Sequence, residues 1–258
     1  MASADIAAYI GAAAWLPQII SWIYNATVKP RIKLVLGPYP QVGYTTYGPI
    51  LNLSCAMSAS KQDAIIEKME IALRHEKGQS TTLFWTTLNE TFSQIRSVVT
   101  GETAEVSKNQ PAIALKVGTQ LLVEKLIGFQ DFKFQKRAND LINAHIEIHN
   151  HLKKIRPDAY QAETLQSKEF ADVVDFFKKN VFWQEGHYVA EIATRMIGIK
   201  EPTTQTFEFS LSSNDVERIN QNALEVERHL KEAAAPPFDQ TRKPELWNWI
   251  NPTIQKKG

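Results

Sequence analysis

The sequence predicts a mainly β protein with helices: an antiparallel β-sandwich with a helical insertion, an N-terminal hydrophobic helix and a C-terminal helix. Three observations carry this. Short runs of period-two alternation separated by turn residues fill much of 31–134 and 188–211. Two later stretches switch to helical spacing, and an uncharged apolar run lies at the front. The organisation expected is a hydrophobic helix over 1–29, a β-sandwich over 30–213 with a two-helix insertion at about 135–180, a C-terminal helix over 214–235, and a tail over 236–258.

From Ile6 to Val28 no residue is charged. As a helix that run would measure about 34 Å, close to the hydrocarbon thickness of a bilayer. A secretory signal is a poor match, because Asp5 stands where a basic residue should. Ala7, Gly11, Ala14, Gln18, Ser21 and Asn25 recur at alternating spacings of four and three, so they share one face. All are small or uncharged polar, the composition through which membrane helices approach one another. Pro17 would kink the helix. Lys29, Arg31 and Lys33 follow directly, which under the positive-inside bias puts the rest of the chain in the cytoplasm. The single cysteine agrees with a reducing compartment.

The strands are read next. Arg31–Leu36 alternates Ile32, Leu34 and Leu36 with other residues; Leu51, Leu53, Cys55 and Met57 share one side of the next strand. Met69, Ile71 and Leu73 do the same over Glu67–His75, and Thr81–Leu88 follows a Gly78 turn. Further strands are expected at Ala112–Val117, within Leu121–Phe134, at Tyr188–Met196 and at Gln205–Leu211. Phe134, Ala138, Leu141, His145, Ile148, Leu152 and Ile155 mark a helix that Pro157 ends, and Ala159–Asn180 offers a second. Asn214, with Glu217 three residues on, is read as the cap of the C-terminal helix, which Pro236-Pro237 stops. Trp247 and Trp249 are expected to dock rather than stand in water.

Glu185-Gly186-His187-Tyr188-Val189-Ala190 resembles the opening of strand F in immunoglobulin-like domains, and Leu51-Asn52-Leu53-Ser54-Cys55 resembles their strand B. The resemblance implies that Tyr188 is a corner tyrosine whose hydroxyl ties its loop to backbone. Ala190 stands where the partner cysteine should, so no bridge can form, and Met69 or Ile71 occupies the place of the core tryptophan.

Function is less legible. A net charge of +1 argues against nucleic acid as a partner. There is no Walker loop, GxGxxG, HExxH or GxSxG pattern, and no cofactor is expected. His145 and His149 could face one metal ion from adjacent turns, but no carboxylate completes that face, so a core role is favoured. Cys55 with His187 could make a nucleophile and base, but Cys55 lies mid-strand among apolar residues. The preferred expectation is a non-enzymatic, membrane-anchored cytoplasmic interaction or sensor module. It contacts the bilayer through residues 6–28, self-associates through the small-residue face, and recognises an unidentified protein or small ligand. The alternatives are a membrane-perturbing effector that oligomerises through its N-terminal helix, and a soluble enzyme whose first helix packs on its own core.

Overall fold

The computed structural model describes residues 15–24, 27–96, 103–233 and 246–256. Eleven strands form one antiparallel sheet: β1 (Arg31–Leu36), β2 (Gln41–Thr45), β3 (Gly48–Ser60), β4 (Ala64–His75), β5 (Ser80–Arg96), β6 (Thr103–Pro111), β7 (Leu115–Val117), β8 (Val123–Gln130), β9 (Gly186–Met196), β10 (Thr203–Leu211) and β11 (Gln255–Lys256). The helices are α1 (Phe132–Ile155), α2 (Tyr160–Leu165), α3 (Lys168–Lys179) and α4 (Ser213–Ala233). Residues 15–24 are also helical.

The antiparallel, helix-bearing class is as expected, but the sheet is continuous and curls into a nearly closed barrel. From β3 it runs through β8, β5, β4, β9 and β10 to β11, while β2 pairs with the other edge of β3. Residues 246–256 join the two margins. Val42 and Ile250 exchange both backbone hydrogen bonds at 2.8 and 2.9 Å, Ile254 N–H donates to the Pro38 carbonyl, and Gln255 pairs with Glu208. The alternation read in the sequence sets the interior. Leu51, Leu53, Cys55 and Met57 of β3 face inward with Met69, Ile71 and Leu73 of β4 and with Phe207 and Phe209 of β10, all buried.

One end of the barrel is covered by helices. Asp131 caps α1 by accepting from Lys133 N–H and Phe134 N–H, and it is itself held by the Thr81 hydroxyl. Phe134, Phe176 and Phe177 then cluster around Tyr44, whose hydroxyl donates to the Phe177 carbonyl. The insertion holds three helices rather than two. Ser167 accepts from Phe170 N–H and restarts the chain as α3, splitting the continuous helix expected over 159–180. The cap of α4 also lies elsewhere. Ser212 Oγ accepts from Asp215 N–H while the Asp215 carboxylate accepts from Ser212 N–H, two residues upstream of the Asn214 start expected.

Strands β2, β6 and β11 have no counterpart in the sequence reading. β2 is short and contains Gly43, whose missing side chain is required. A Cβ there would lie 2.5 Å from the Trp249 ring, while its carbonyl accepts from Trp183 Nε1 on the other side. Asn222 of α4 adds a second clamp, donating to the Asn248 carbonyl and accepting from Asn248 N–H at 2.9 and 2.8 Å. Gly43→Ala should therefore lever Trp249 off β2 and cost about 1–3 kcal/mol by overpacking. Urea denaturation of the variant beside the parent, with near-ultraviolet circular dichroism for the tryptophans, measures it; equal midpoints would show that the tail does not bear on β2.

Candidate functional site

Two surfaces of the barrel carry concentrated chemistry. The first is the end opposite the helices, where β3 finishes, β4 begins and the β9–β10 turn lies. Three loops are drawn together there by backbone bonds: Ala59 N–H to the Gly118 carbonyl, Ile197 N–H to the Ile65 carbonyl, and Arg31 paired with Ser60. The chain enters β1 at this end from helical residues 15–24. In that helix Trp15, Leu16, Ile19, Ile20, Trp22, Ile23 and Tyr24 are all 48–72% exposed. Gln18 and Ser21 are exposed as well, so the described helix is bare on every face. The same end adds Ile65 of β4 and the loop residues Leu121, Leu122 and Ile197, each exposed by 42% or more. Single exposed apolar residues are ordinary, but a group this large at one end is not.

Where residues 27–32, which follow the helix, meet Lys61 and the β9–β10 turn lies a cleft of about 850 Å³. Lys29, Arg31, Lys61 and Lys200 line it, with Glu201 as its carboxylate, and Pro30, Ile32, Met196 and Ile199 form apolar walls. Lys33, expected to act with Lys29 and Arg31, is exposed two residues farther along β1, outside that lining. Lys61 and Lys200 come from distant turns, and nothing in their local sequence marks them. Lys61 holds φ = 73°, a left-handed backbone that a side chain disfavours, in the tight β3–β4 turn. Asp63 in that turn accepts from Thr119 N–H and pairs with Lys116, which in that order hold its carboxyl below the usual range.

The remaining residues of the expected association face, Ala7, Gly11, Ala14 and Asn25, lie outside the described residues, as do the other residues of 6–28 apart from 15–24 and 27–28. Among the described residues no helix is long and apolar enough to cross a membrane.

The second surface is a cleft of about 450 Å³ on the outside of the barrel, between β2, β3, β8, β5 and the tail. Trp247 and Trp249 form one side; Asn52, Thr87, Asn89 and Gln130 offer amides and hydroxyls. Gly128 lies at its base, where a Cβ would meet Thr87 Oγ1 at 2.3 Å. No charged side chain is among its described lining residues. Such a surface suits a neutral ligand, with stacking from the indoles and hydrogen bonds from the amides.

The candidates for reaction chemistry are dispersed. Cys55 is 3% exposed inside the barrel, and burial pushes its thiol up to about 12, so it holds no thiolate. His187 lies at a surface edge, with Nδ1 at 3.2 Å from Ser210 Oγ and Nε2 at 3.3 Å from Glu208. The two do not form a pair. Tyr188 makes the bonds expected of a corner tyrosine: its hydroxyl donates to the Gln184 carbonyl and accepts from Gln184 N–H. It does so within a continuous barrel-like sheet, stacked on Phe209.

His145 and His149 sit where α1 meets α2 and α3, against Phe170 and Tyr160. Their Nδ1 atoms are buried without a hydrogen-bond partner. Among the described residues no three His, Cys, Asp or Glu side chains come together to hold a metal. Burial first, then neighbouring His149, lowers the affinity of His145 for a proton, and Glu169 opposes in part; burial and Lys153 do the same to His149. Above pH 6.5 folded and unfolded chains both carry neutral rings and stability is full. Below it the unfolded chain binds protons that the folded one resists, and stability falls. The drop in urea midpoint from pH 7.5 to 5.5 should be larger for the parent than for His145→Leu, which keeps only His149 of the pair; equal drops would refute the assignment.

No protein-family model matches this chain, and no curated protein or solved structure is similar to it.

Proposed function

We propose that this chain is a membrane-seated, non-enzymatic recognition module, held on the cytoplasmic face of a bilayer by its N-terminal apolar segment and presenting the tryptophan–amide cleft to a neutral ligand or partner. The observation that carries the reading is the bare helix at 15–24. Seven large apolar side chains left in water at one end of the barrel are stabilised once acyl chains replace that water, at about 25 cal/mol for each Å² covered. The loop residues Leu121, Leu122 and Ile197 leave by the same end, so a bilayer meeting the helix also meets them. The basic residues after the helix favour the cytoplasmic leaflet. The likeness to immunoglobulin-like domains, at Tyr188 and in β3, supports recognition only by analogy of fold.

Flotation with neutral phosphatidylcholine vesicles tests the tether. The full chain should rise with lipid. A variant lacking residues 1–28 should remain at the bottom, monomeric, with the parent's β-sheet circular dichroism. A full chain that stays below overturns the reading.

A second reading is favoured by the β5–β6 ribbon. β5 leaves β4 after Phe84, β7 takes its place on β4, and beyond Asn89 β5 keeps only β6 as partner. Residues 90–96 thus run on as a two-stranded ribbon about 24 Å long, at 3.4 Å per residue, past the same barrel end. Isolated ribbons of this kind are marginal in water and gain by pairing or insertion. In this reading the protein perturbs the membrane it sits on, and deleting 93–106 should abolish dye leakage from vesicles while flotation persists. Leakage unchanged by that deletion would remove the ribbon from any such activity.

A further inference from the structure

The basic cleft at the foot of the N-terminal helix is separate from the tryptophan cleft and has its own chemistry. Four cations from three separated segments converge on it: Lys29 and Arg31 from the entry to β1, Lys61 from the β3–β4 turn, and Lys200 from the β9–β10 turn. All four are exposed, and among the described lining residues Glu201 is the one carboxylate. Like charges drawn together without matching carboxylates repel one another, and an anion seated among them removes that repulsion. Lys61 holds its left-handed backbone at the cleft edge, a conformation glycine would adopt without penalty.

The position of the cleft identifies the anion. Its lining includes Thr27 and Val28, which follow the exposed helix at 15–24 along the chain, and Met196 and Ile199, which flank the exposed Ile197. An anion held there lies at the boundary between apolar and polar surface, the depth at which lipid phosphates lie once acyl chains cover the apolar residues. A soluble anion would use the cations and leave the apolar rim in water.

We infer that this cleft seats the phosphate of an anionic lipid headgroup and that the barrel stands end-on on an anionic leaflet, with Leu121, Leu122 and Ile197 dipping into its interface. The inference rests on the membrane reading above and adds the lipid class and the orientation. Each cation brought to an anionic surface raises partitioning about fivefold, and salt weakens the effect.

Lipid titrations of the full chain, with phosphatidylcholine vesicles and with vesicles containing 30% phosphatidylserine, test it. The parent should partition at least tenfold more strongly into the anionic vesicles at low salt, and Lys61→Ala/Lys200→Ala should lose about 10- to 30-fold there while matching the parent on phosphatidylcholine. Lys61→Gly, which relieves the left-handed backbone, should weaken anionic partitioning about fivefold yet unfold at a higher temperature, separating lost charge from a damaged fold. Equal binding of the parent to both vesicle types keeps the tether and overturns the headgroup site. Failure to bind either overturns both. Saturable binding of inorganic phosphate at Lys61 and Lys200 without any preference for anionic vesicles would make a soluble anion the occupant and also overturn the inference.

Discussion

The barrel depends on a seam made by eleven residues that the rest of the sheet cannot replace. Without 246–256, β2 would present an open edge on one side and β10 on the other, each a row of unpaired backbone groups. The tail pairs with both, at Val42 of β2 and at Phe207 and Glu208 of β10. It also carries the two tryptophans of the outer cleft, so closing the sheet and building that cleft are one event. Asn222 and Gly43 serve that seam from opposite sides, one supplying hydrogen bonds and the other space.

The two ends of the barrel then differ in a way that separates tasks. The end bearing α1 and α3 is filled by aromatic packing around Tyr44, Phe134 and Phe177, with the Tyr44 hydroxyl turned inward to the Phe177 carbonyl. The other end keeps short loops, and these bring cations and bare apolar residues together. Positive and negative charges nearly balance, with a net of +1, so the asymmetry lies in placement, not in composition.

Much of this was legible in the residue pattern where a strand has one buried and one wet face. β1 was read with its observed bounds, and β3, β4, β9 and β10 were found within a few residues, because Leu51 to Met57 or Phe207 to Leu211 alternate cleanly. β2 escaped because Val42, Tyr44 and Thr45 are all buried around a glycine, which erases the alternation. The tail escaped because its partner on β2 lies roughly two hundred residues away and its pairing with β10 spans only two residues; Trp247 and Trp249 signalled docking but not the place. Closure into one sheet instead of two packed layers is a matter of which strands pair, and a local pattern holds no record of it. The same limit applies to the basic cleft. Lys29 and Arg31 stood out beside an apolar run, whereas Lys61 and Lys200 join them only through the fold.

The seam also sets an order of events during synthesis. Strand pairing between Val42 and residues near 250 cannot begin until almost the whole described chain has left the ribosome, so the interior stays open while translation proceeds. The apolar helix at 15–24 emerges long before that moment. It can meet lipid, or a chaperone that shields it, while the barrel is still a set of unjoined hairpins. Any attachment made by that helix would then precede closure, and residues 246–256 would join the sheet margins only afterwards.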